Sequence, residues 1–259
     1  MDWRARRVGL RVGGHRGAAA DAPENTYAAF EAAVEQGAAY TETDIRLSAD
    51  AQLVLMHDPT LDRTTDARGP VSAKRLDELR KVDAGSWFGH DFAGERIPEF
   101  EPFLRWVEER APFGAALEVK ASGIGARVAE LAWASPAREH LAIYAFDAAE
   151  IRAAKSVCPD LPCLLLLRLT DDPGKVIARI EACGADGADV PWQWRALALT
   201  AEMQARGLLV GGGSSDGGQA ARELVEMGAD VIDTDRPAAL LGAVAELVSR
   251  HASGREPAR

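Results

Sequence analysis

Residues 8–37 read VGLRVGGHRGAAADAPENTYAAFEAAVEQG, and they hold one complete strand-helix repeat. The run at 8–14 is short, apolar and strand-like; Pro23, Glu24, Asn25 and Thr26 then open a helix that continues to Gln36. Tyr27, Phe30, Ala33 and Val34 fall on one face of that helix, and Gly37 stands just past its end, where a left-handed residue is tolerated.

The same unit recurs along the chain. A second strand at 40–47 turns at Ala49-Asp50-Ala51 and is continued by 53–56, which leaves His57-Asp58-Pro59 at its far end. Further strand candidates lie at 116–119, 141–146, 163–167, 187–190, 208–211 and 231–234. Most are followed by helical pattern, at 127–134, 148–157, 175–183, 196–206, 218–227 and 238–249. Apolar strands alternating with amphipathic helices imply a parallel sheet covered by helices. Eight such strands in 259 residues predict an α/β fold, a closed (β/α)8 TIM barrel, with an open doubly wound sheet as the alternative.

Residues 59–98 break the rhythm, with Gly69-Pro70, Gly85, Gly89, Gly94, Pro98 and one short helical piece at 73–82. A connection that long inside a compact domain is usually functional, so it reads as a small cap inserted after the second strand. The expected organisation is a single domain over 1–250 with 59–98 as its cap, followed by a flexible tail at 251–259.

Composition narrows the function. A chain that is 47% hydrophobic at this length can bury a sizeable core. Its net charge of −10 argues against a nucleic acid partner, which needs a basic face, and leaves a small-molecule substrate. Cys158, Cys163 and Cys183 are odd in number and form no CxxC pair, so they read as small buried apolar residues in a reducing compartment. The longest apolar run, at 161–167, is too short to span a bilayer and is broken by Pro162. Arg4, Arg6 and Arg7 have no apolar leader segment behind them, and the expected location is cytoplasmic.

In a parallel barrel the reactive groups gather at the carboxyl ends of the strands. Those ends carry His15-Arg16, then Glu42 and Asp44, then His57-Asp58, then Glu118 and Lys120. Glu42 and Asp44 are two apart on a strand and share a face, and Glu118 with Lys120 repeats that spacing. Three converging carboxylates repel one another unless a cation neutralises them, and hard oxygen ligands select one divalent cation, Mg²⁺ or Ca²⁺. His15 and His57 flank that position and can act as the base and acid of phosphodiester cleavage, with His15 assigned the base. Arg16 and Lys120 supply positive charge for the nonbridging phosphate oxygens. Asp58, before Pro59, reads as a turn residue.

The motifs His15-Arg16-Gly17, Pro23-Glu24-Asn25-Thr26, Glu42-Thr43-Asp44, His57-Asp58 and Leu61-Asp62-Arg63-Thr64-Thr65 occur in this order. Asp83-Ala84-Gly85-Ser86-Trp87-Phe88, Gly94-Glu95-Arg96-Ile97-Pro98, Leu117-Glu118-Val119-Lys120 and Asp233-Thr234-Asp235-Arg236-Pro237 follow. Together they resemble the glycerophosphodiester phosphodiesterases, over roughly residues 8–240. The resemblance implies a (β/α)8 barrel with a small insertion after the second strand, a metal held at Glu42, Asp44 and Glu118, and His15 with His57 as the acid-base pair. It further implies cleavage of a glycerophosphodiester to glycerol 3-phosphate and an alcohol.

At the seventh strand that family usually presents a tryptophan followed by Thr-Val-Asn, whereas this sequence reads Gly211-Gly212-Gly213-Ser214-Ser215-Asp216. The resemblance therefore implies a roomier mouth or a different alcohol, with Trp192 and Trp194 as candidates to refill it. The glycines themselves read either as a flexible turn or as a phosphate-cradling loop. A phosphodiesterase for a lysophospholipid or sugar phosphodiester, or a non-catalytic glycerophosphodiester-binding protein, are the alternative readings.

Overall fold

Strand β1 (Arg11–Gly14) pairs in parallel with both β2 (Tyr40–Leu47) and β9 (Val231–Thr234), and this double pairing closes the sheet into a barrel. The structure is a computed structural model that describes residues 2–3, 9–213 and 218–252. Around the barrel the order is β1, β2, β4 (Gly114–Val119), β5 (Leu141–Ala145), β6 (Cys163–Leu166), β7 (Gly187–Asp189), β8 (Leu209–Gly212) and β9, every neighbour parallel. Helices connect them: α1 (Tyr27–Glu35), α3 (Phe100–Glu109), α4 (Gly125–Ala134), α5 (Ala148–Val157), α6 (Val176–Cys183), α7 (Leu197–Ala205) and α8 (Gly218–Glu226). After β9 comes α9 (Pro237–Ala252). The architecture is the (β/α)8 barrel that the alternation predicts.

Three details depart from the sequence pattern. The continuation of the second strand is a separate strand, β3 (Leu53–Leu55), which runs back antiparallel along β2. Because Met56 N–H then donates to the Asp44 carbonyl (2.8 Å), the hairpin brings His57 back to the level of Asp44. The helical piece expected at 73–82 shrinks to α2 (Leu76–Leu79), flanked by 3₁₀ turns at Val71–Ala73 and His90–Phe92. Helix α3 is absent from the predicted elements, although Phe100, Phe103, Leu104 and Val107 bury a continuous stripe. Pro102 masks it; in a first turn the missing N–H has no intrahelical partner to lose, so the helix tolerates it.

Two apolar layers hold the barrel. The outer one, between strands and helices, runs through Phe30, Ile45, Phe103, Leu117, Ile143, Leu165, Val210 and Ile232, and it takes in the three unpaired cysteines. The inner one fills the barrel with Tyr40, Tyr144, Leu164, Leu209 and Val231, closed at the amino ends of the strands by Trp3. Trp3 is 1% exposed, its ring lies 4.8 Å from Tyr40, and its indole N–H donates to the His140 carbonyl (2.9 Å). Residues 59–98 carry a small core of their own, Leu61, Val71, Leu79, Val82 and Ile97 packed on Met56. Of the segment 251–259, His251 and Ala252 end α9, and 253–259 lie outside the described residues, as do Val8 and Ser214-Ser215-Asp216. Among the described residues no helix is long and apolar enough to cross a membrane.

Candidate active site

The carboxyl ends of the strands surround a mouth of about 330 Å³ into which His15, Arg16, Glu42, His57, Glu118 and Lys120 all project. Glu42 and Asp44 leave β2 on its inner face, and Glu118 stands beside Asp44 in the parallel register of β2 with β4. Each of the three offers an oxygen within 4.8 Å of the others, and they are 3%, 0% and 7% exposed.

Such a cluster is costly without a cation. Burial, then Asp44 and Glu118, hold the Glu42 carboxyl well above the usual carboxylate range. Burial and Asp44 push Glu118 up to about 7, against the pull of Lys120. Asp44 goes the other way: burial opposes its charge, but Lys120 and Arg16 outweigh it and keep its affinity for a proton low. Lys120 Nζ lies 2.6 Å from Glu118 and 3.2 Å from Asp44, and Glu42 Oε1 is buried with no hydrogen-bond donor. An all-oxygen set with an unpartnered buried carboxylate oxygen fits a hard divalent cation, and these three residues can hold one.

Each histidine is backed by a carboxylate. His15 Nδ1 is 2.7 Å from Asp235 Oδ1, and His57 Nδ1 is 2.6 Å from Asp58 Oδ1. A carboxylate accepts, so it selects the tautomer protonated at Nδ1 and leaves Nε2 as the atom offered to a substrate. Burial lowers the proton affinity of His57 despite the attraction of Asp44 and the hydrogen bond it donates to Asp58. Asp58 is thus more than a turn residue, because its carboxylate also takes Arg63 Nε at 2.7 Å. Arg63 in turn forks onto Glu24 (2.6 and 2.7 Å), Glu24 accepts from Arg16 (3.0 Å), and Arg16 Nε lies 3.2 Å from Asp44 Oδ2. One chain of charges therefore runs from His57 to the carboxylate cluster.

Local backbone choices place Arg16. Its φ of 56° turns the peptide so that its N–H donates to Glu42 Oε2 (3.0 Å). Gly17 follows at φ 90°, and a Cβ there would sit 2.5 Å from the backbone of Ala29 on α1, so only glycine fits. Asn25, also left-handed at φ 57°, donates to Asp44 Oδ2 (2.8 Å) and accepts from Thr43 Oγ1 (2.6 Å). Every residue assigned to chemistry from sequence thus converges on one mouth. Sequence reading missed the roles of Asp235, Arg63, Glu24 and Asn25, as well as two further buried acids, Asp189 and Asp233, that line the same mouth. Trp192 lines it too, whereas Trp194 turns away and donates to the Leu169 carbonyl (3.2 Å).

Fold and site define a barrel protein with a three-carboxylate centre beside two carboxylate-backed histidines. The chain belongs to the glycerophosphoryl diester phosphodiesterase family, whose model matches residues 15–239. A Bacillus subtilis relative is 37% identical over 158 residues, 60% of this chain, and the match spans 64% of that relative's length, just under two thirds. A glycerophosphodiester phosphodiesterase of Caldanaerobacter subterraneus subsp. tengcongensis is 36% identical over 174 residues, 65% of this chain and 71% of its own. Among solved structures, a glycerophosphodiester phosphodiesterase from Agrobacterium tumefaciens superposes with a TM-score of 0.80 at 30% identity, covering 90% of this chain and 100% of that one. An Oleispira antarctica phosphodiesterase in complex with the product sn-glycerol-3-phosphate gives 0.83 at 26% identity, covering 91% and 96%.

Proposed function

We propose that this protein hydrolyses glycerophosphodiesters to glycerol 3-phosphate and an alcohol, with His15 and His57 as the acid-base pair and one divalent cation at Glu42, Asp44 and Glu118. The observation that carries the reading is the convergence of two Nδ1-anchored histidines on a buried three-carboxylate cluster. When bound, the cation supplies positive charge against the phosphate oxygens.

The chain's own residues do the rest. Arg16 and Lys120, both lining the mouth, attract the phosphodiester anion; Arg16 is held taut by Glu24 and Asp44, so its fork is oriented before substrate arrives. One histidine Nε2 takes the proton of the attacking oxygen, that of water or of the substrate's own glycerol hydroxyl, as the new P–O bond forms; on the second route water then opens the cyclic phosphate to glycerol 3-phosphate. The other gives its proton to the departing alcohol as the old P–O bond breaks. Asp235 and Asp58 keep each ring in the orientation the transfer needs, and each stabilises its imidazolium while it lasts. Residues 59–98 act as a cap, because they deliver Arg63 to Asp58 and Glu24 at the rim. The complex of the Oleispira antarctica phosphodiesterase with sn-glycerol-3-phosphate supports glycerol 3-phosphate as the product.

A panel of glycerophosphocholine, glycerophosphoethanolamine, glycerophosphoglycerol and lysophosphatidylcholine tests this. The expected result is glycerol 3-phosphate release from the deacylated diesters with Mg²⁺ or Ca²⁺ and none in EDTA. Turnover of lysophosphatidylcholine alone would replace the proposal with a lysophospholipid reading.

A further inference from the structure

Beyond the metal carboxylates, the mouth contains a second pair of acids that the mechanism does not use. Asp189 ends β7, which lies across the barrel from β2, and Asp233 lies on β9. They are 6% and 4% exposed, and both line the mouth.

Unlike Asp44 and Glu118, neither has an ion pair to any described residue. Asp189 is approached by the Gly213 backbone N–H and Asp233 by the Tyr40 hydroxyl, while the buried Asp233 Oδ1 has no donor at ordinary hydrogen-bond geometry. Beneath them, the buried Tyr40 hydroxyl interacts with Asp233 and with the Tyr144 hydroxyl. A buried carboxylate oxygen without a close donor, such as Asp233 Oδ1, seldom stays unsatisfied in a folded interior.

Glycines on the strand between the two acids leave the room that the Asp189 carboxylate takes up at the mouth. Gly211 on β8 pairs with Asp189 on one side and Val231 on the other. A Cβ there would lie 3.2 Å from Asp189 Oδ2, and one at Gly213 would lie 2.9 Å from Oδ1. Gly212 faces outward against Leu224 on α8, so the two inward positions of this stretch carry no side chain. Phe146, Leu166, Pro191 and Trp192 make the adjoining wall apolar.

We propose that Asp189 and Asp233 form an alcohol subsite that receives a substrate alcohol bearing a protonated primary amine, as in an ethanolamine headgroup. The inference rests on the phosphodiesterase reading for its substrate, though not for its geometry. A cation desolvated between two carboxylates supplies the missing charge, and its N–H donors meet carboxylate and tyrosine oxygens, while the apolar wall takes the methylene chain. A metal ion fits less well, because among the described residues no third carboxylate, histidine or cysteine completes a cluster with these two. Burial pushes Asp189 up to about 7 and Asp233 up to about 8, so both carboxyls gain charge when a cation binds between them.

The test compares kcat/KM for glycerophosphoethanolamine and glycerophosphoglycerol at pH 8 with Mg²⁺. The wild type is expected to favour the amine substrate by about tenfold or more, and Asp189→Asn or Asp233→Asn to cut that ratio about tenfold, the size of one charge-assisted hydrogen bond. A wild-type ratio near one, or variants that lose both substrates in the same proportion, overturns the subsite. So does a second bound metal ion per chain that Asp233→Asn removes. If neither diester is cleaved, the phosphodiesterase reading fails, and the subsite is read separately by melting. Ethanolammonium is then expected to raise the wild-type Tm more than that of Asp189→Asn, and an equal or absent effect overturns the inference.

Discussion

Glu118→Gln is expected to make the metal-free protein more stable and the metal-loaded protein less so. Glu118 titrates at 4.5 when unperturbed and is pushed up to about 7 here, so the folded chain holds its proton more tightly than the unfolded chain does. Its protonated form favours folding; that stability is full below about pH 4.5 and is lost as pH rises through 7. At about 1.36 kcal/mol for each tenfold change in proton affinity, the ionised side chain costs the metal-free fold about 3 kcal/mol at pH 8. Glutamine carries no such penalty. With Tm moving about 2–4 °C per kcal/mol for a chain of this size, the variant should melt about 6–12 °C above wild type in EDTA at pH 8. Near pH 4.5 the two should converge. A divalent cation at about a hundred times its Kd should then stabilise the wild type by about 2.7 kcal/mol and the variant far less. Melting curves at pH 4.5 and pH 8, with EDTA and with Mg²⁺ or Ca²⁺, read all four conditions. A variant less stable than wild type in EDTA at pH 8, or one that keeps the full cation response, refutes the electrostatic account of the cluster.

Other expectations follow from the same geometry. His15→Asn and His57→Asn should each lower kcat by about 10²–10⁴ with little change in Tm, measured on a glycerophosphodiester. Asp58→Asn and Asp235→Asn should cost less than loss of the ring itself, about 10–100-fold in kcat with KM nearly unchanged, since they orient a histidine and touch no substrate. Trp3→Ala empties the amino end of the barrel core and should destabilise by about 3–5 kcal/mol while the catalytic mouth stays intact, seen as a lower denaturation midpoint with kcat unchanged.

What sequence could disclose here depended on range. The two-residue spacing of Glu42 and Asp44 carries over directly into a shared inner face, because a strand alternates by geometry alone. Strand ends carrying histidines and carboxylates likewise point to one mouth once the barrel is inferred. Asp235 is different: it meets His15 across 220 positions, and only the pairing of β1 with β9 brings them together. Arg63 reaches Glu24 across 39 positions from an insertion whose own pattern is too irregular to orient a side chain. Asp189 and Asp233 sit within apolar strand sequence and look like ordinary strand-end polar residues until their neighbours are known. The short α2 and the proline-masked α3 show the same limit at the level of helices.

The most direct test of the whole account is a ³¹P NMR time course of glycerophosphoethanolamine with the purified protein and Mg²⁺ or Ca²⁺. The diester resonance is expected to be replaced by that of glycerol 3-phosphate, and EDTA to stop the conversion. A diester signal that persists with either cation, or one that decays equally fast in EDTA, would contradict the proposal that His15 and His57 work beside a cation held by Glu42, Asp44 and Glu118.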